Sequence, residues 1–252
     1  MSDNNAWYLR CGPDEVGSSA VLVGDRGRVL LAAELLDDAV ILNEDRGLTT
    51  ATGYFQGERI TVSAFGMGAP IAAVVMHELA GLGVKTFVRL GTVMTVGDTQ
   101  LGEFVVAHGA VRGESTSASY LPIEFPAVPD FALTRRVEDA VLAAGLPLRT
   151  GLYATFDGFY TEMFETGNGP VPVADRHARL SKAGVVATDM ETSALLVTGR
   201  ALGVAVASLC LASVAGTTNE KMPHAERVAA EAKLLLAGFS ALAASATVVA
   251  ER

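Results

Sequence analysis

Three arginines follow strand-like runs, each beside a glycine, a threonine or both. They are Arg28 in Val23-Gly24-Asp25-Arg26-Gly27-Arg28, Arg46 in Asn43-Glu44-Asp45-Arg46-Gly47-Leu48-Thr49-Thr50, and Arg89 in Phe87-Val88-Arg89-Leu90-Gly91-Thr92. A guanidinium is a planar fork of donors that matches a tetrahedral oxyanion. No glycine–lysine phosphate loop accompanies these arginines. Several forks without a nucleotide-gripping loop suit free inorganic phosphate as ligand.

Asp189-Met190-Glu191-Thr192-Ser193 places two carboxylates around a methionine, just after the strand-like run Val185-Val186-Ala187. Acids at a helix start complement the helix dipole, and that accounts for Asp189 and Glu191 equally. The other reading is a carboxylate that accepts both hydroxyls of a sugar diol, with Met190 as apolar contact. Phe156-Asp157-Gly158-Phe159-Tyr160 is an aromatic cluster beside a loop. Such aromatics usually pack in the core, but the glycine between them also permits a stacking wall for a planar base.

Other motifs carry less. Gly66-Met67-Gly68 lies between a strand and a helix, but Ile71 holds the third glycine position of a dinucleotide loop, so a tight turn is expected. The 4 histidines, His77, His108, His177 and His224, show no ligand spacing, so no metal is expected. His77 reads as part of a helix face and His177 as solvated. Ser193 and Ser213 sit in no nucleophile elbow.

Strand-like and helical segments alternate, which is the α/β pattern. Strands are expected at residues 20–24, 39–42, 85–90, 103–107, 148–155 and 204–211, with a hairpin at 54–65 turning at Gln56-Gly57-Glu58. Helices are expected at 28–38, 70–79, 130–143, 189–202 and 223–244. The helix at 70 carries Pro70 at its favourable first position. Segments 113–129 and 161–172 read as long loops, the kind that are functional or mobile.

The chain has 252 residues, half of them hydrophobic, and a net charge of -9. That supports one sizeable core in a single domain over residues 1–252. The acidity disfavours nucleic acid and anionic membranes as partners. The polar start Met1-Ser2-Asp3-Asn4-Asn5 lacks a signal pattern, and no apolar run is long enough for a membrane span. The 2 cysteines, Cys11 and Cys210, lie on unrelated patterns, which fits a reducing, cytoplasmic setting.

Taken in order, these segments resemble the nucleoside phosphorylase superfamily, and most closely its uridine phosphorylase branch. The matching pieces are Gly24-Asp25-x-x-Arg28, Arg46, Phe87-x-Arg89-x-Gly91-Thr92, Glu124-Phe125-Pro126-Ala127-Val128, Asp157-x-Phe159-Tyr160 and Met190-Glu191-x-x-Ala194. The resemblance implies a central twisted mixed β-sheet, partly barrel-like and flanked by helices. It implies phosphorolysis of a nucleoside without a cofactor, with inorganic phosphate as co-substrate, in a dimer-based homo-oligomer built up to a hexamer. By the same resemblance Gly24, Arg28, Arg89 and Thr92 hold phosphate, and Arg46 reaches in from a neighbouring subunit. Thr92, Met190 and Glu191 bind the ribose, and Phe159 stacks on sugar and base. Arg28, Arg89 and Glu191 carry the catalysis.

The sequence departs from the family mainly around the base. The uridine enzymes read the pyrimidine edge with a glutamine and an arginine, where this chain has Met163 and Glu165. A further arginine of the uridine enzymes would fall near Gly216, in Val214-Ala215-Gly216-Thr217-Thr218, and where the purine branch has an aspartate after a serine this chain has Ser213-Val214. Val93-Met94 follow Thr92 where the uridine enzymes have threonine and glycine. Tyr8 stands where the family has a ribose-contacting histidine. The base site expected here is therefore Val93, Met94, Phe159, Met163 and Glu165, with Glu165 accepting from N–H donors of a cytosine-like, purine or modified base. Hydrolysis on the same scaffold, or nucleoside binding without turnover, are the alternatives.

Overall fold

The computed structural model describes residues 5–249, with side chains placed through residue 243. The polar start at 1–4, and residue 250 of the final Ala/Leu-rich run, lie outside the described residues.

In chain order the elements are β1 (Ser19–Val23), α1 (Arg26–Leu35), β2 (Asp37–Asn43), β3 (Thr50–Phe55), β4 (Glu58–Ala64), α2 (Ala69–Gly81), β5 (Thr86–Thr95) and β6 (Phe104–Gly113). They continue with α3 (Phe131–Ala143), β7 (Leu148–Phe156), a single π-turn (Phe159–Met163), α4 (Val173–Lys182), β8 (Val185–Asp189), α5 (Thr192–Leu202), β9 (Ala205–Val214) and α6 (His224–Val249). The hairpin between β3 and β4 turns on Gln56 (φ 50°) and Gly57 (φ 83°). Positive φ at both centres matches the strand twist.

The nine strands among the described residues form one sheet in the order β2-β3-β4-β1-β5-β8-β7-β6-β9, and β9 returns to pair with β5. Strands β5, β8, β7, β6 and β9 thus close on themselves as a small barrel, while β2, β3, β4 and β1 extend from it as an open sheet. This is the mixed, partly barrel-like sheet that the resemblance implies. β1 runs parallel to both β4 and β5, and β5 runs parallel to β9. Helices cover both faces. Val29 and Ala32 of α1, Leu133 and Val137 of α3, and Leu234 and Leu235 of α6 fill one core cluster. Val75, Met76 and Leu79 of α2 pack with Leu195 and Leu196 of α5 in another.

Two expectations need correction. α5 begins at Thr192, not at Asp189. Asp189 is the last residue of β8, in register with Thr155 of β7. The stretch 173–182, which the sequence left unassigned, is the helix α4, and His177 on it is buried instead of solvated.

Candidate active site

A cavity of about 630 Å3 opens where the C-terminal ends of β1, β5, β8 and β9 meet the π-turn and the starts of α1 and α6. Ligands of α/β sheets gather at such strand ends. Gly24, Arg28, Arg89, Thr92, Val93, Met94, Phe159, Met163, Met190 and Glu191 all line it. Tyr8, Arg46 and Glu165 do not.

One corner is cationic. Gly24 follows β1, and a Cβ there would sit 2.9 Å from the Gly66 carbonyl oxygen. The Gly66-Met67-Gly68 turn therefore closes on Gly24, as the tight-turn reading expects, and Gly66 N donates to Gly24 O at 3.0 Å. Asp25 caps α1 by accepting from Gly27 N at 2.9 Å. Arg28, buried in the first turn of α1, donates through Nη1 to Leu90 O at 3.1 Å. Its Nε lies 3.3 Å from Glu231 Oε1, an ion-pair contact without hydrogen-bond alignment.

Arg89 projects from the middle of β5 and is 3 % exposed. Its guanidinium folds over Gly91, where a Cβ would come within 2.5 Å of Nη1. Only glycine leaves room for that conformation. Arg89 Nη2 donates to Glu191 Oε2 and lies 3.2 Å from Asp189 Oδ2, while Nη1 contacts Cys210 Sγ. Burial alone would lower the Arg89 pKa, but Cys210, Asp189 and Glu191 together push it well above the ordinary arginine value. Burial holds the Cys210 thiol up, so it is neutral near pH 7 and the two carboxylates are the real counter-ions.

The carboxylates that flank Met190 have separate tasks. Asp189 Oδ2 accepts from Thr192 N at 3.0 Å and Thr192 Oγ1 at 2.6 Å, and Oδ1 accepts from Thr155 Oγ1 at 2.7 Å. It caps α5, as the helix-dipole reading expects. Glu191 makes no side-chain cap to its own helix. Its Oε1 accepts from Gly68 N at 2.7 Å and its Oε2 meets Arg89. The Gly66–Gly68 turn and β5 thus hold this carboxylate at the cavity wall.

The opposite end is apolar. Val93, Met94, Phe159, Met163, Met190 and Val214 form its walls. Phe159 opens the π-turn and stacks on Phe164 with ring centroids 5.8 Å apart, and Tyr160 meets it edge-on at 5.0 Å. Hydroxyls come from Ser213 and Thr188, and Thr188 Oγ1 is buried and unpartnered among the described residues.

Glu165 is exposed and its carboxylate is already engaged. It accepts from Val173 N at 2.7 Å and Gly167 N at 2.9 Å, and these two backbone donors lower its pKa. It ties the loop to the start of α4 and does not face the cavity. Tyr8 N donates to Glu78 of α2 at 2.9 Å. Its ring lies under the Arg46 guanidinium, 5.3 Å from it. Arg46 itself is exposed and left-handed (φ 58°) in a short turn.

The cavity also recruits Arg26, Met67 and Arg227, none of which stood out in the sequence. Arg227 and Glu231 sit one turn apart on an amphipathic helix, a spacing that ordinarily marks only a solvated face.

The Phosphorylase superfamily family model matches residues 18–244. The uridine phosphorylase of Thermococcus kodakarensis is 31% identical over 239 residues, covering 92% of this chain and 86% of that protein. The uridine phosphorylase of Escherichia coli is 30% identical, covering 90% and 92%. A guanosine phosphorylase of Halorubrum lacusprofundi is 31% identical over 204 residues, covering 81% and 80%. The crystal structure of uridine phosphorylase from Vibrio fischeri superposes with a TM-score of 0.85 at 29% identity, covering 96% of this chain and 97% of that one.

Proposed function

Because the chain belongs to the phosphorylase superfamily and is a nucleoside phosphorylase, a pentosyltransferase, we propose that it cleaves a uridine-like pyrimidine nucleoside with inorganic phosphate. A phosphate oxygen bonds to the anomeric carbon while the C–N glycosidic bond breaks. The base leaves with the bonding electron pair and takes a proton from solvent. The products are free base and ribose or deoxyribose 1-phosphate, and no cofactor takes part.

In this reading Gly24, Arg28, Arg89 and Thr92 hold phosphate in line, and catalysis rests on positioning and preorganised charge. Glu191 accepts from the ribose hydroxyls, and its charge favours the cation that develops on the sugar. Met190 and Phe159 pack on sugar and base. Arg46, exposed and outside its own chain's cavity, completes a partner's site in a dimer-based cytoplasmic oligomer, up to a hexamer. Its left-handed backbone is the kind of strained conformation that gathers at functional sites.

The observation that carries the reading is the direct contact of Arg89 with Glu191 inside a cavity that Arg28 and Thr92 also line. An anion-holding group and a diol-accepting group are thereby within one bond's reach of each other. The test is a nucleoside panel with and without phosphate, read by free base. Base release that depends on phosphate is expected. Equal release in phosphate-free buffer would mean hydrolysis, and binding without turnover would mean a binding protein.

For the base itself, the apolar end, to which Ser213 and Thr188 bring hydroxyls, favours a second reading. A site built to hydrogen-bond a base edge discriminates by about 10⁴–10⁵, whereas an apolar wall does so by only about 10–200-fold. The uridine label therefore comes with weak rejection of purine or modified bases. A narrow preference for uridine across the panel would remove this second reading.

A further inference from the structure

We propose that Glu231 on α6 is a positioning residue for phosphate that acts through Arg28, and that its second partner, Arg227, adds a guanidinium to the same corner. The inference rests on the phosphorolysis reading above. Glu231 is 6 % exposed, and a carboxylate that deep persists only if it is paired. One oxygen, Oε1, serves two cations: it lies 3.3 Å from Arg28 Nε and 3.3 Å from Arg227 Nη1. Both arginines line the cavity.

The arrangement leaves Arg28 one free edge. Nη1 is fixed by the Leu90 carbonyl and Nε lies in ion-pair contact with Glu231 without a hydrogen bond, while Nη2 has no partner within the chain among the described residues. A guanidinium held by one hydrogen bond and a neighbouring carboxylate presents its remaining edge to a ligand at little further loss of freedom. Arg227 is held in turn by Glu231 and lies 3.4 Å from His224 Nδ1. A plain helix-surface pair is a weaker account, since an acid placed four residues after its base is the less favourable order on a helix. Glu231 is also far too buried for a surface pair.

Steady-state kinetics of the full-length chain, with phosphate and nucleoside varied separately, tests this. Arg227→Ala is expected to raise the phosphate KM about five- to tenfold, the size of one lost charge-assisted contact. Nucleoside KM, and kcat at saturating phosphate, should stay within about twofold. Glu231→Ala should raise the phosphate KM at least as much, and Glu231→Gln, which keeps an acceptor oxygen, should recover most of it. Arg135→Ala removes an exposed arginine from α3 and should leave both KM values unchanged. If Glu231→Ala does not fold, Glu231→Gln and Arg227→Ala carry the test, together with the rise in Tm that phosphate alone produces.

An unchanged phosphate KM in Arg227→Ala and Glu231→Ala, or phosphate and nucleoside KM rising together, overturns the proposal. If the unmodified protein itself releases base without phosphate, the phosphorolysis reading fails first. If it requires phosphate and the variants do not shift, this inference alone fails.

Discussion

The two ends of the cavity are built differently. At the cationic corner Arg28, Arg89, Asp189 and Glu191 are all buried, and each is held by groups from other elements. At the apolar end Phe159 and Met163 stand on a π-turn followed by a loop, and the contacts are apolar. Charges in a low-dielectric wall must be fixed in advance, because an unpaired buried charge is costly and misplaced donors do not stabilise a transition state. Apolar walls tolerate drift, since dispersion and area burial have little direction. The cationic corner is therefore fixed by directional contacts, and the apolar end rests on less directional ones.

The largest expected effect breaks the cationic corner. Arg89→Ala should lower kcat/KM by about 100-fold or more and destabilise the fold by about 3–5 kcal/mol, since Asp189 and Glu191 then share one unpaired buried site. Phosphate-dependent turnover and a denaturant melt check both. If turnover stays within a few-fold, the corner is structural only.

At the other end, Phe159→Ala should cost about 1–3 kcal/mol in nucleoside binding, the range of one base–aromatic stack. Phosphate KM should hardly move, and a shift in it would mean that the two ends are not separate. Glu165→Gln should change neither base preference nor turnover by more than about twofold, because the carboxylate serves the loop through Val173 and Gly167. A clear change in base preference would return Glu165 to the base site.

The smallest effect belongs to His177. Burial first, and the charge of Arg176 second, lower its pKa. The unfolded chain then binds a proton that the folded one refuses, so this contribution to stability is complete above about pH 6.5 and is lost as pH falls from there. Tm of the protein and of His177→Gln across pH 5–8 should show a steeper acid decline in the parent. Parallel curves would leave His177 without that role.

Local patterns made much of this legible. Gly24 to Arg28 and Met190-Glu191 follow strand ends and Arg89 to Thr92 lie within β5, each group within a few residues, so their types and order stand in the sequence itself. Asp189 was ambiguous because its two explanations differ only in what the side chain reaches. The register with Thr155 and the bond to Thr192 N resolved that. α4 was hidden because Asp175, Arg176, Arg179 and Lys182 make it strongly polar. One of its buried residues, His177, packs against Gly216, where a Cβ would come within 2.4 Å of the ring. Glu165 failed as a base contact because its partners, the N–H groups of Gly167 and Val173, follow from how the loop folds back. Arg227 and Glu231 went unnoticed because their spacing on a helix resembles any solvated pair.

By itself the sequence determined which side chains can hold an anion and a diol, and the alternation of elements that brings strand ends together. Those features depend on residue type and on short-range backbone geometry. Only the tertiary structure decided which carboxylate caps α5 and which is held by Gly68 N, that Glu165 turns away from the cavity, and that α6 delivers Arg227 and Glu231 beside Arg28. Such choices depend on the direction and desolvation of side chains from segments far apart in the chain, and those are set only when the sheet closes and the helices pack on it.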